Sequence, residues 1–236
     1  MIGHSTVYEV IMPVTDQVVL GSRSPQRREL LESMVGTKSL RILPPLSSAE
    51  AGFLDVCDDA GFEKRLLEVV RDKYEDVYRQ TVDAEHSSDS VDRPPYIVVA
   101  DTIVIATNDQ KHKRVLGQPD PAQWQSEVRD WMQHWLAGRT HEVWTGVIVA
   151  KEQQRREFIV KSHVTFCNMS DTMIEWYIST SESLGKAGGY AVQAHAAAWV
   201  TQFTGSLTTI IGLPLMEVIE ALQVLGWEMP VREVKG

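Results

Sequence analysis

Apolar positions along this chain recur in two periods, and the alternation between them predicts the elements. Val18-Val19-Leu20 is a short continuous apolar run that reads as the end of a buried strand. Small residues follow, Pro25 suits a first helical position, and a helix is expected to about Val35 with Gly36 as its stop. Residues 1–16 read as a short strand or an extension, and 44–61 as an irregular segment. A helix over 62–80 shows the stripe Leu66, Val69, Val70, Tyr74 and Val77. The polar stretch 82–95, closing on Pro94-Pro95, reads as a mobile surface loop inside one domain spanning 1–236.

The second half of the chain is richer in strands. Residues 96–100 form a fully apolar strand that continues through Ile103-Val104-Ile105, turns at Asn108-Asp109 and returns over 114–116. From Pro121 a helix carries Trp124, Val128, Trp131, Met132 and Trp135 to Leu136. Residues 142–151 pair with 157–167 as a long hairpin, and a helix with Asp171 as N-cap covers 173–179. A strand pair is expected near 197–200 and 208–211, before a last helix bearing Leu215, Val218, Ile219, Leu222 and Leu225. Strands alternating with helices, plus one long hairpin, predict an α/β fold with a mixed twisted sheet flanked by helices.

Composition narrows the class. The length of 236 residues gives ample core, and 43% hydrophobic with 23% charged residues is ordinary for a globular protein. A formal net charge of −9 argues against a nucleic-acid or membrane-surface binder. Any polyanionic ligand must therefore meet a local concentration of cations. Cys57 and Cys167 are the only cysteines, so neither a disulfide framework nor a zinc cluster is expected. With no signal-like apolar core at the N-terminus, a reducing, cytoplasmic location is expected.

Four places carry candidate chemistry. Ser22-Arg23-Ser24-Pro25-Gln26-Arg27 lies between a strand and a helix start, where exposed N–H groups and the helix dipole favour phosphate. It reads equally as a capped helix with surface arginines. Lys73 lies four residues after Val69 and four before Val77, so it points along the apolar face; it snorkels there or aims into a cleft. Asp101 sits inside an apolar strand, at a cost unless backbone N–H groups, a cation or a metal satisfy it. Gly185-Lys186-Ala187-Gly188-Gly189 is a flexible turn or a close approach to phosphate. Cations for a polyphosphate and carboxylates for a hard divalent cation make a minimal kit for metal-assisted phosphoryl transfer.

The joint pattern resembles the Maf family of nucleotide pyrophosphatases from Val18 to about Leu225. Ser22-x-Ser24-Pro25-x-Arg27 is similar to its opening signature, and Val-Ala-Asp101-Thr102 to its central aspartate motif. Ala49-Glu50, Arg71-Asp72-Lys73, Gly138-Arg-Thr140-His141 through Thr145-Gly146, Lys186 through Gln193, and Gly205-Ser206 through Pro214 complete the match. The resemblance implies two lobes around a central cleft, akin to inosine-triphosphate pyrophosphatases. It implies hydrolysis of a pyrimidine or modified nucleoside triphosphate to the monophosphate and pyrophosphate, with Mg²⁺ or Mn²⁺. Asp101 would be base and metal ligand, Glu50 would assist at the metal, and Ser24, Arg27, Lys73 and Lys186 would hold phosphates. Thr102 and Gln193 would lie where the family reads the base, and a homodimer is compatible. Three positions depart: Gln26 stands for arginine or tryptophan, Gln118 for lysine before Pro119, and Gly185 for aspartate. Those losses of charge keep a rival open, a catalytically weak nucleotide-binding regulator of cell division.

Overall fold

The computed structural model describes residues 16–47, 52–86 and 93–229. Its elements are β1 (Val18–Gly21), α1 (Pro25–Val35), β2 (Leu40–Ile42), α2 (Asp59–His86), β3 (Tyr96–Thr107), β4 (Lys113–Leu116) and α3 (Trp124–Trp131). After a π-helical turn at Met132–Leu136 come β5 (Thr140–Lys151), β6 (Gln154–Phe166), α4 (Asp171–Ser179), β7 (Val200–Thr204), α5 (Leu207–Ile211) and α6 (Leu215–Val224).

The strands form one mixed sheet in the order β2-β1-β3-β5-β6-β7, with β4 beside the second half of β3. The α/β class is therefore as expected. β2, β1 and β3 are parallel, whereas β3, β5, β6 and β7 run antiparallel. Strand alternation sends Ile97, Val99 and Ile103 to α2, and Tyr96, Val98 and Ala100 to the side covered by α6. Farther along, Val104 and Ala106 join a third apolar cluster with α3, α4 and the start of β5. Among the described residues, no helix is long and apolar enough to cross a membrane.

Several boundaries differ from the sequence reading, for local reasons. α2 begins three residues earlier, because the Asp58 carboxylate accepts from Gly61 N–H at 2.7 Å. It also runs on to His86, so the stretch expected as a loop from 82 opens as helix. Residues 1–15 and 87–92 lie outside the described residues. The helix expected from Pro121 starts at Trp124. Ser170, not Asp171, caps α4, its hydroxyl accepting from Met173 N–H.

The expected strand at 208–211 is helix α5. Its β-branched Thr208-Thr209-Ile210-Ile211 favours a strand locally. Ser206 instead caps a helical turn through Thr209 N–H, and Gly212 ends it at φ 126°. Residues 195–199 form a 3₁₀ turn, and the strand β7 follows it over Val200–Thr204. Edge strand β2 went unread because three half-buried residues carry no periodic signal.

Candidate active site

β1 delivers the first part of the site. A Cβ on Gly21 would lie 2.5 Å from Val99 and 2.7 Å from Val77, so glycine lets β3 and α2 close against the strand end. Ser24 then caps α1: its Oγ accepts from Arg27 N–H at 3.3 Å and donates to Gln26 Oε1 at 3.1 Å. Arg27 turns its guanidinium back across the loop. Its Nε donates to Gly212 O at 2.8 Å, Nη1 to Ser22 Oγ at 3.4 Å and Nη2 to Thr102 Oγ1 at 3.0 Å.

β3 supplies the centre through a break in its pairing. On one edge β1 covers residues 96–99 and β4 covers 104–107, while β5 pairs continuously from 97 to 105 on the other. The unpaired edge at 100–103 opens the sheet where β1 ends, the position at which open α/β sheets bind ligands. Asp101 and Thr102 lie in this gap and point to opposite faces. Asp101, 9% exposed, accepts from Lys73 Nζ of α2 at 2.5 Å. Lys73 thus lines the cleft with its ammonium on Asp101.

The opposite wall is irregular backbone fastened by side chains. Lys186 Nζ donates to Glu182 O at 2.6 Å. The Glu182 carboxylate in turn accepts from His195 N–H at 2.8 Å, approaches His195 Nδ1 at 2.6 Å and accepts from Tyr177 O–H at 3.3 Å. Tyr177 O–H also contacts Gly189 O at 2.9 Å. Gly188, at φ 68°, donates to Gly117 O at 3.0 Å, which joins this wall to the loop bearing Gln118. Behind it, buried His141 bonds Tyr190 Oη at 2.7 Å. Burial first, and His163 second, lower the His141 pKa from the usual 6.5 to about 3, so the ring is neutral. Burial likewise raises Tyr190 and Tyr177 well above the usual phenol range.

These walls enclose a cleft of about 730 Å³. Ser24, Gln26, Arg27, Lys73, Asp101, Thr102, Gln118, Lys186 and Gln193 all line it; Glu50 lies outside the described residues. Its described lining carries Arg23, Arg27, Lys73 and Lys186 against the one carboxylate of Asp101, on a chain of net charge −9. Such local inversion suits a polyanion. Among the described residues there is no group of three His, Cys, Asp or Glu that could hold a metal. A Mg²⁺-type site needs fewer, since one or two carboxylates and substrate phosphates commonly suffice. Sequence reading passed over Thr145, Glu182 and Arg23 as site residues. Arg23 carried a sequence signal as a cation between two serines of the loop, and Thr145 as a member of a matched motif; Glu182 carried none.

A family model described as Maf-like protein matches residues 17–225. The chain belongs to the Maf family. Relatives extend the Maf match. A dTTP/UTP pyrophosphatase of Syntrophus aciditrophicus (strain SB) is 32% identical over 215 residues, covering 90% of this chain and 92% of the relative. A protein of the same name from Granulibacter bethesdensis is 41% identical over 141 residues, 59% of this chain and 62% of the relative. Another from Rhizobium meliloti is 29% identical over 226 residues, 95% and 100% respectively. All but one of the Maf motif residues read as site residues line one cleft; the exception, Glu50, is not among those described.

Proposed function

We propose that this Maf protein is a nucleoside triphosphate pyrophosphatase that cleaves between the α and β phosphates, with pyrimidine nucleotides of the dTTP and UTP class as substrates. The observation that carries this reading is the Asp101–Lys73 pair, set in the gap of β3 beside the capped loop after β1. The names of the relatives support the substrate class. Water attacks phosphorus, its proton passes to the Asp101 carboxylate, and pyrophosphate leaves with the bonding electrons. Lys73 orients Asp101, while Ser24, Arg27 and Lys186 hold phosphate oxygens. Thr102 and Gln193 lie where the family reads the base, and Gln26 and Gln118 complete the lining without adding charge.

A divalent cation, Mg²⁺ or Mn²⁺, belongs to the same proposal, held by Asp101 and Glu50. When bound it offsets phosphate charge and lowers the pKa of the attacking water. Assembly as a homodimer and a cytoplasmic location, beside the nucleotide pools, complete the reading. The test is pyrophosphate release from a panel of standard and methylated nucleoside triphosphates, with and without Mn²⁺. Release is expected from dTTP or UTP, and Asp101→Asn should lower it by about 10²–10⁴-fold. Full activity in Asp101→Asn would remove Asp101 as the base.

Gln118 favours a second reading, because it lines the cleft where the family's lysine would add a charge. A catalytically weak nucleotide-binding regulator would be stabilised by nucleotide without turnover, and Gln118→Lys would gain activity.

A further inference from the structure

Arg27 and Arg23 flank the same loop but use their guanidinium groups differently. The Arg27 fork is drawn into the protein by Gly212 O, Ser22 Oγ and Thr102 Oγ1. Arg23 is exposed, lines the cleft, and has a single hydrogen-bond partner among the described residues, Pro45 O, reached by Nη2. A guanidinium has five N–H donors in one plane, so most of the Arg23 fork remains for a ligand. Its bond to Pro45 also spans the cleft rim, from the loop after β1 to the segment after β2. Asp101 and Lys73 lie deeper, at the gap in β3.

A substrate bound across both places presents its scissile phosphorus to Asp101 and a second anionic group to the rim. We propose that Arg23 is a substrate-binding residue that holds the pyrophosphate half of the nucleoside triphosphate, supplying at the rim the positive charge that Gln26 and Gln118 do not. This assignment rests on the pyrophosphatase reading for its substrate. The anion site itself is defined by donor count and position. Arg27, by the same accounting, fixes the loop to Thr102 and Gly212 as well as facing the cleft.

The test uses calorimetric binding of pyrophosphate and, separately, of deoxythymidine monophosphate to the intact chain, alongside dTTP turnover. Arg23→Gln should weaken pyrophosphate binding about tenfold, the usual size for a charge-assisted bond at an exposed site, and raise the KM for dTTP similarly. Monophosphate binding should stay within about twofold, because a merely structural role for the Pro45 bridge would disturb both halves alike. Arg23→Lys keeps the charge without the fork and should lose about threefold; it carries the test if the glutamine variant does not fold. Arg28→Gln is the control: Arg28 is exposed on α1, pairs with Glu32 and does not line the cleft. Unchanged pyrophosphate affinity in Arg23→Gln, or an equal loss in Arg28→Gln, overturns the assignment. Wild-type protein that binds pyrophosphate through Arg23 but releases none from any nucleotide would sink the pyrophosphatase reading alone.

Discussion

The two walls of the cleft solve one problem by different means. On the first wall regular elements aim the charges: Lys73 projects from the long helix α2, Asp101 from central strand β3, and Ser24 caps α1. On the second wall Lys186, Gly188 and Gly189 belong to irregular backbone, held by the Glu182, Tyr177 and His141 contacts. A helix or strand places a side chain through its own repeating hydrogen bonds. An irregular segment needs a separate polar tether for each degree of freedom it gives up. Damage to the first wall should therefore show in chemistry, and damage to the second should show first in stability.

The largest effect should come from Lys73→Met. It keeps an unbranched apolar stem at that position of α2 and removes the ammonium 2.5 Å from Asp101. Pyrophosphate release should fall by about 10²–10³-fold, the scale for deleting one positioned charge at a reaction centre. The far-UV spectrum should change little, although the Tm should fall because the Asp101 carboxylate loses its cation. Activity above one tenth of wild type would break the contrast between the walls.

Glu182→Ala tests the other side. It removes the carboxylate that accepts from His195 N–H at 2.8 Å, while the Tyr177 hydroxyl keeps Gly189 O at 2.9 Å as its acceptor. A loss of about 1 kcal/mol is expected for the bond removed from His195, seen as a fall of roughly 2–4 °C in Tm. KM should rise with it, because the Lys186 leash is the Glu182 carbonyl and moves with that loop. An unchanged Tm would show that the wall does not depend on this tether.

The same division explains what could be read in the chain. Ser24, Pro25 and Gly36 announced α1 because capping is local, and the helical period placed Lys73 on the buried side of α2. The gap in β3 could not be read, since it exists only through the register of β1 and β4 along one edge. Nor could the bond from Arg27 to Gly212, which joins residues 185 apart. At α5 propensity pointed the wrong way, and the Ser206 cap decided the outcome. Local rules thus reached the first wall, whereas the second depends on contacts between distant segments.

His141 gives a pH test of the second wall. Its pKa is near 6.5 unfolded and about 3 folded, so between these values the unfolded chain binds more protons. Stability from the neutral ring is complete above about pH 6.5 and is lost as pH falls toward 3, by about 1.4 kcal/mol per unit. Asp76 and Asp109 have pKa values lowered from the usual 3.8, so their contribution changes from there downward and lies below pH 5. Urea unfolding at pH 7, 6 and 5 should therefore show a slope in wild type that flattens in His141→Phe. Parallel curves would mean that His141 is not buried neutral.

The smallest effect is expected at Thr145, which is wholly buried and joins the walls from behind. Arg27 can only donate and the Thr209 carbonyl can only accept, so the hydroxyls between them have a fixed direction. Arg27 Nη2 donates to Thr102 Oγ1, Thr102 donates to Thr145 Oγ1 at 2.9 Å, and Thr145 donates to Thr209 O at 3.0 Å. Thr145→Val removes the middle of the relay at nearly constant volume. The Thr102 hydrogen is then left with Gly212 O at 3.5 Å, an oxygen that Arg27 Nε already occupies at 2.8 Å. About 1 kcal/mol is at stake, or a KM increase of about fivefold with kcat kept, because Arg27 loses orientation and not charge. Thr145→Ser restores the hydroxyl and should restore KM to within about twofold. If serine fails as badly as valine, the methyl packing of Thr145 matters and the relay does not orient Arg27.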